Sequence, residues 1–132
     1  MIEGPLIAIV DDDESIRRST SSLLRAAGFV TAAFGDGQSF LASAARATAA
    51  CLIADMRMPG MSGLELYQAL VASGDGIPTV LITAYPEDIT RSRARAAGIS
   101  CLLGKPFVPE ELLECVGEAL EKPQRGKPLS RS

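Results

Sequence analysis

Two short apolar runs in this 132-residue chain end on carboxylates. The run LIAIV is followed by Asp11, Asp12 and Asp13, and the run CLIA is followed by Asp55. Clustered carboxylates repel each other unless a cation lies between them. The chain contains no histidine, so a metal site here would use oxygen ligands. An all-oxygen site favours a hard cation, most simply Mg²⁺.

Two further polar residues stand at the ends of other apolar runs. Thr83 ends the run IPTVLIT, and Lys105 follows the run ISCLLG and precedes Pro106. A lysine binds phosphate as a point charge, and a carboxylate such as Asp55 can accept a phosphoryl group covalently. Together with a divalent cation, these side chains indicate phosphoryl chemistry, provided that the strand ends meet in space.

The elements that must position these residues alternate along the chain. Apolar runs predict strands, and amphipathic spacing with capping residues predicts helices. The predicted strands cover 6–10, 29–34, 51–54, 77–83 and 99–104, and the predicted helices cover 14–28, 36–47, 62–73, 86–98 and 108–122. Five βα units in succession predict an α/β fold with a parallel sheet covered by helices on both faces. Ligands of such sheets bind at the carboxyl ends of the strands, where the polar residues lie.

Length and composition limit the class of protein. The length fits one domain, and a net charge of −3 gives no indication of nucleic-acid binding. No apolar run approaches the roughly 20 residues of a membrane span, and the amino terminus lacks the basic region of a secretory signal. The three cysteines are scattered singly, without a CxxC pair, so we expect Cys51, Cys101 and Cys115 to be free thiols.

The segments IVDDDESIRR, LIADMRMPGMSGLEL, VLITAY and LLGKPF together resemble the receiver domain of bacterial two-component response regulators. The resemblance covers roughly residues 5–122. It implies a flavodoxin-like, doubly wound (βα)5 fold with five parallel strands in the order 2-1-3-4-5. We therefore expect a receiver domain at 1–122 and a flexible tail or linker at 123–132.

The resemblance also implies roles for the acidic residues. Asp55 corresponds to the aspartate that accepts the phosphoryl group. Asp11 and Asp12 correspond to the acidic pair that holds Mg²⁺, or Mn²⁺ in its place, and Asp12 would be the direct ligand. The main-chain carbonyl of Arg57 corresponds to a further metal ligand, beside Asp55.

A second set of residues corresponds to the signalling switch of the family. Thr83 matches the hydroxyl that moves towards the phosphoryl oxygen, and Lys105 matches the lysine that pairs with the phosphoryl group through a cis bond to Pro106. Leu102 departs from the family, which usually has an aromatic residue there. Tyr85, two residues past Thr83, is the nearest aromatic alternative. That Tyr85 takes the part of the missing aromatic residue is a hypothesis.

The function that the resemblance implies is a phosphoacceptor switch in the cytoplasm. A sensor histidine kinase or a phosphotransfer protein would donate the phosphoryl group. The domain would not be an enzyme beyond self-phosphorylation from small donors and slow autodephosphorylation. Phosphorylation would change the surface made by the fourth predicted helix, the fifth strand and the fifth helix. That surface would serve an output domain, a protein target or a homodimer, with no direct contact to a membrane or nucleic acid.

Two alternatives remain open from the residues. The segment DDDES satisfies the D-x-D-x-[TS] pattern of haloacid dehalogenase-like phosphatases, with Asp11 as nucleophile and Asp13 as acid/base. Asp13 could instead simply begin the first helix. The other alternative is a phosphorylation-independent interaction domain, which the departure at Leu102 keeps open.

Overall fold

The computed structural model describes residues 4–84, 88–99 and 101–121. Its strands and helices are β1 (Leu6–Val10), α1 (Glu14–Ala26), β2 (Val30–Phe34), α2 (Gly37–Leu41), α3 (Ala45–Thr48), β3 (Cys51–Asp55), α4 (Gly63–Ala72), β4 (Thr79–Thr83), α5 (Asp88–Ala97), β5 (Cys101–Gly104) and α6 (Pro109–Leu120). The strands form one parallel sheet in the order β2-β1-β3-β4-β5, as predicted. Across the described ranges, no helix is both long and apolar enough to cross a bilayer.

Each face of the sheet carries its own hydrophobic cluster, because successive side chains of a strand point to opposite faces. On β1, Ile7 and Ile9 pack towards α1 and α6. Ala8 and Val10 pack towards the opposite layer, which contains α2, α4 and α5. All four side chains are buried. The strands are therefore covered on both faces, which confirms the predicted doubly wound α/β class.

Side-chain caps fix the start of the two helices that follow the acidic segments. The Asp13 carboxylate accepts hydrogen bonds from the backbone N–H groups of Ser15 (2.9 Å) and Ile16 (3.3 Å) at the start of α1. At the start of α4, the Ser62 hydroxyl accepts from the Glu65 N–H, and the Glu65 carboxylate accepts from the Ser62 N–H. Caps of this kind stabilise a helix by about 1 kcal/mol. Asp13 is thus the N-cap of the first helix.

The prediction of one continuous helix over 36–47 is wrong. α2 ends at Leu41 and α3 begins at Ala45. Between them, the backbone N–H and the hydroxyl of Ser43 both donate to the carbonyl of Phe40, at 3.0 and 2.8 Å. A serine that bonds to nearby backbone in this way competes with continuation of the helix. The helical periodicity of this segment gave no indication of that break.

The prediction of three free thiols is also wrong. Cys101 in β5 and Cys115 in α6 form a disulfide, with their Cα atoms 5.9 Å apart. Cys51 is a free, fully buried thiol, as expected. The two paired cysteines are 14 residues apart in the chain, and their spacing carries no pairing signal. They meet because α6 returns across the sheet and packs over β5.

A glycine allows α4 to begin directly against the end of β3. A Cβ atom added at Gly63 would lie 2.5 Å from the carbonyl oxygen of Asp55 and 2.9 Å from Cδ2 of Leu81. The Gly63 N–H donates to the carbonyl of Met56, 3.2 Å away. The loop that leaves Asp55 is therefore closed by a contact that no larger residue can make.

α5 and α6 are held to the sheet to different degrees. α6 buries Leu112 and Val116 completely. Among the described side chains of α5, the buried one is Ala94. Beyond the carboxyl end of α5, the Tyr67 hydroxyl of α4 donates to the carbonyl of Gly98 at 3.2 Å. Among the side chains that the structure describes, those of α5 therefore make a smaller apolar contact than those of α6 do.

We predict that the backbone amides of α5 exchange with deuterium faster than those of α6. Burial of Leu112 or Val116 stabilises α6 by roughly 1.5–3 kcal/mol each, whereas one buried methyl group contributes about 0.8 kcal/mol. Hydrogen–deuterium exchange mass spectrometry of the unphosphorylated domain measures the difference. Exchange in α5 that is as slow as in α6 would contradict this order of stability.

We also predict opposite effects of the same substitution at two helical glycines. Gly63→Ala should lower the free energy of unfolding by about 2 kcal/mol, because its new methyl group collides with backbone. Gly117→Ala in α6 should raise it by roughly 0.5–1 kcal/mol, since a Cβ there has no atom within 4 Å and alanine favours the helix. Urea denaturation of both variants checks the prediction, and shifts of equal sign would refute it.

Candidate functional site

Four of the predicted site residues lie at one edge of the sheet. Asp11 directly follows β1, and Asp55 is the last residue of β3. Thr83 is the last residue of β4, and Lys105 directly follows β5. These positions are the carboxyl ends of parallel strands, which share one edge. The fold therefore gathers residues that are up to 94 positions apart in the sequence.

Backbone hydrogen bonds between neighbouring strands continue up to the site itself. The Asp11 N–H donates to the carbonyl of Phe34 at 3.1 Å. On the other side, the Lys105 N–H donates to the carbonyl of Thr83 at 2.7 Å. These bonds fix the backbone of each site residue to the adjacent strand. The side chains thus extend from a rigid edge and not from free loops.

Three carboxylates and one ammonium group meet at this edge. Asp11, Asp12 and Asp55 each offer a carboxylate oxygen, and these oxygens lie within 4.8 Å of one another. The Nζ atom of Lys105 lies 3.5 Å from Oδ1 of Asp55 and 3.8 Å from Oδ2 of Asp11. Asp11 and Asp55 are 3% and 8% exposed, whereas Asp12 is exposed. The cluster is therefore open to solvent on the side of Asp12.

Burial dominates the electrostatics of the two inner carboxylates. It raises the pKa of Asp55 above its ordinary value, against the opposing effects of the Lys105 charge and a hydrogen bond from the backbone of Arg57. Burial likewise raises the pKa of Asp11, although the backbone N–H of Asp13 donates to its carboxylate at 2.9 Å. The negative charge of Asp55 raises the pKa of Asp11 further. A cation would relieve this strain between like charges.

The remaining predicted residues have less direct positions. Thr83 is buried, with 1% of its surface exposed. Arg57 lies two residues past Asp55, and its backbone hydrogen-bonds to that carboxylate. Leu102 in β5 is partly buried against the cluster on the α4 and α5 face of the sheet. The Lys105–Pro106 peptide bond is cis, which confirms that expectation. Tyr85 lies outside the described residues.

One positioning residue was missed in the sequence. The Nη1 atom of Arg17 in α1 donates to the main-chain carbonyl of Asp11 at 2.7 Å. This bond holds the backbone that carries the acidic pair. A basic residue near the start of a helix is placed unfavourably with respect to the helix dipole. That unfavourable placement was the available signal.

The arrangement can bind a cation beside a nucleophilic carboxylate. Asp55 is fixed at a strand end, and the neighbouring carboxylates supply oxygen ligands of the kind that Mg²⁺ prefers. Lys105 adds a positive charge on the same side. Asp13 is committed to capping α1, and its carboxylate is exposed. Asp13 therefore serves as a helix cap, whereas Asp55 lies beside Lys105 within the acidic cluster.

Comparison with known proteins agrees with this geometry. Residues 7–117 match the model of the response regulator receiver domain family. Nodulation protein W of Bradyrhizobium diazoefficiens is 34% identical over 127 residues, which cover 96% of this chain and 56% of that protein. The response regulator protein TodT of Pseudomonas putida is 36% identical over 88% of this chain and 51% of its own length. The chain thus spans about half the length of these curated relatives.

Solved structures agree with the sequence matches. The chemotaxis protein CheY4 of Vibrio cholerae superposes with a TM-score of 0.81 at 31% identity, over 89% of this chain and 99% of that one. The family model, the similar sequences and the similar structure all indicate the same family. The chain belongs to the response regulator receiver domain family, the signalling domains of two-component systems.

Proposed function

We propose that this domain is a phosphoacceptor switch in which Asp55 receives a phosphoryl group from a histidine kinase or a phosphotransfer protein. The observation that carries the proposal is the position of Lys105, whose Nζ atom lies within 4 Å of the carboxylates of both Asp55 and Asp11. An ammonium group beside an acidic cluster can neutralise phosphoryl oxygens that arrive at Asp55. The family membership supports the same role.

The acidic cluster fits a divalent cation. Three carboxylate oxygens lie within 4.8 Å of one another, two of the carboxylates are largely buried, and their pKa values are raised by that burial. We propose that Asp11, Asp12, Asp55 and the main-chain carbonyl of Arg57 hold Mg²⁺, or Mn²⁺ in its place. When bound, the ion supplies positive charge to the carboxylates and to the phosphoryl oxygens.

Side chains of this domain carry out the proposed transfer of the phosphoryl group. A carboxylate oxygen of Asp55 attacks the phosphorus atom, an oxygen–phosphorus bond forms, and the phosphorus–nitrogen bond to the donor histidine breaks. The leaving imidazole keeps the bonding electrons and takes up a proton. Lys105 pairs with a phosphoryl oxygen, and the hydroxyl of Thr83 donates a hydrogen bond to another.

The output is proposed to be a change in the surface formed by α5, β5 and α6. Thr83 immediately precedes the segment that leads to α5, and Lys105 connects β5 to α6. A phosphoryl group adds about −1.5 to −2 charge, which draws both side chains inward. Leu102, in place of an aromatic residue, and Tyr85 are the proposed packing partners in this change. The surface would bind an output domain, a protein target or a second copy of the chain, in the cytoplasm.

The domain is proposed to extend over 1–122, with a tail or linker at 123–132. The residues from 122 onward lie outside the described part of the chain.

The phosphatase alternative needs Asp13 as an acid/base, but this carboxylate accepts hydrogen bonds from Ser15 and Ile16. We therefore retain the phosphoacceptor role as the favoured function.

We predict that acetyl phosphate labels Asp55 and that labelling requires Mg²⁺. Asp55→Asn should abolish the label, because the amide lacks a nucleophilic carboxylate. Lys105→Ala should lower the rate of labelling by about 10²-fold or more, since one charge that stabilises the transition state is removed. Intact-mass spectrometry followed by peptide mapping measures both results.

Asp36→Asn is the matched control for this experiment, because it makes the same chemical change at the exposed cap of α2. It should label at the wild-type rate. A label on Asp11, together with turnover of phosphate esters, would instead support the phosphatase alternative. Full labelling in the absence of divalent ions would contradict the metal assignment.

We predict that Asp55→Asn raises the melting temperature of the metal-free domain at pH 7 by a few degrees. The folded-state pKa of Asp55 is raised by burial above the ordinary value of 3.8. Its favourable contribution is complete below pH 3.8 and is lost as pH rises through the raised value. At neutral pH the charged group therefore destabilises the fold, and the advantage of the variant should shrink as pH falls towards 3.8.

Differential scanning fluorimetry with and without millimolar Mg²⁺ measures this effect. Mg²⁺ should stabilise the wild type more than Asp55→Asn, because the variant lacks one of the ligands. Asp36→Asn should not raise the melting temperature, since its carboxylate has a lowered pKa through hydrogen bonds with Ser39. Equal responses of wild type and Asp55→Asn to Mg²⁺ would refute the metal assignment.

A further inference from the structure

The disulfide lies within the segment that connects the site to the proposed output surface. Cys101 is the first residue of β5, which is an edge strand of the sheet. Cys115 lies in α6 and is 7% exposed, whereas Cys101 is partly exposed. The Cα–Cα distance of 5.9 Å falls within the usual range for a disulfide. The bond therefore joins two neighbouring elements without requiring either backbone to move.

The closed ring of chain contains Lys105. Starting at Cys101, it passes along β5, through Lys105 and Pro106, and into α6 as far as Cys115. β5 and α6 are two of the three elements of the proposed output surface. A covalent bond between them restricts how far α6 can move relative to β5, and β5 is paired with β4 in this disulfide form.

We propose that Cys101 and Cys115 form a reversible redox modification site that sets the freedom of α6 relative to β5. The thiol form leaves this contact to hydrophobic packing, and the disulfide form adds a covalent tether. The consequence for signalling rests on the proposed function of the domain. The redox chemistry itself does not depend on phosphorylation.

The reaction uses a small-molecule disulfide such as oxidised glutathione. The Cys101 thiolate attacks one sulfur of that molecule, forms a mixed disulfide and releases one small thiolate. The Cys115 thiolate then attacks the Cys101 sulfur and releases the second small thiolate. Two protein thiols are oxidised, one small disulfide is reduced to two thiols, and the two protons of the protein thiols pass to the released thiolates.

The difference in solvent exposure between Cys101 and Cys115 determines which thiol reacts first. Cys101 is partly exposed and can meet a small disulfide, whereas Cys115 packs within the cluster between the sheet and α6. The third cysteine takes no part. Cys51 is fully buried, and burial raises the pKa of its thiol to about 12, so it stays protonated and shielded. The chain therefore contains one reactive pair and one inert internal reference.

A reducing compartment would make the formation of this disulfide reversible. Disulfides in proteins that work in a glutathione-buffered cytosol are usually transient or redox-sensing. A response regulator acts in the compartment of the kinase domain that phosphorylates it, so the pair would meet that buffer. The resting form would be the dithiol, and an oxidative shift in the buffer would close the bond.

The test is a titration of the unphosphorylated chain in buffers of defined ratio of reduced to oxidised glutathione. Samples are quenched in acid, unfolded and alkylated, and the number of alkylated thiols is measured by intact-mass spectrometry. We expect three alkylated thiols in the most reducing buffer and one, on Cys51, in the most oxidising buffer. The transition should be reversible, and its midpoint should lie between the two extreme buffers, where the dithiol and the disulfide are both present.

Three variants make the result specific. Cys51→Ala should titrate like the wild type, whereas Cys101→Ser and Cys115→Ala should form no intramolecular bond and should instead retain glutathione or stay reduced. Oxidation should raise the melting temperature of the wild type by about 10 °C and leave both single variants unchanged. Three free thiols in every buffer would overturn the proposal, and so would a bond that persists in the most reducing buffer.

The effect on signalling is measured separately. Beryllofluoride with Mg²⁺ serves as the activating ligand, and hydrogen–deuterium exchange in α6 is compared between the reduced and oxidised wild type. We expect the activation-dependent change in exchange to be smaller in the oxidised form. An equal change in both forms would refute the tether while leaving the phosphoacceptor role intact. If neither form responds but the thiol titration succeeds, the failure lies in the proposed function and not in the redox site.

Discussion

The charge balance between Lys105 and two largely buried carboxylates governs this structure. Asp11 and Asp55 occupy positions where burial disfavours their charged forms, and each repels the other. One ammonium group lies within 4 Å of both. Such an arrangement costs stability, and proteins retain costly charge clusters chiefly where chemistry needs them. The edge of the sheet is thus a place where burial of charge weakens the fold, and perturbed carboxylates of this kind are typical of functional sites.

The surrounding fold keeps this cluster in place. Strand pairing continues to the last residue before each site group, and Arg17 adds a further bond to the backbone of Asp11. Gly63 lets α4 begin against the carbonyl of Asp55, while the capping box of Ser62 and Glu65 fixes the first turn. These contacts do not relieve the repulsion between carboxylates. They prevent it from being relieved by movement of the backbone.

The sequence was informative where local pattern and topology agree. Alternating strands and helices dictated a parallel sheet, and in such a sheet the polar residues after each strand must meet. That reasoning located Asp11, Asp55, Thr83 and Lys105 at one edge without any coordinates. Resemblance to a known family then supplied the strand order and the expected roles, which periodicity alone could not.

Other features depended on contacts that no local pattern encodes. The break between α2 and α3 arises from the bonds of Ser43 to Phe40, and the pairing of Cys101 with Cys115 arises from the return of α6 over β5. Arg17 could have been suspected only from its unfavourable place near the start of a helix. Each of these features is set by tertiary geometry, which overrides the composition of the segment.

A hydrogen bond from the Tyr67 hydroxyl to the carbonyl of Gly98 lies just beyond the carboxyl end of α5. The carboxyl end is attached to α4, while the amino end follows the segment that leaves Thr83. A rigid helix that is held near one end moves most at its other end. If α5 reorients, the attachment near Gly98 would therefore act as the pivot, and the residues farthest from Gly98 would move through the largest distance.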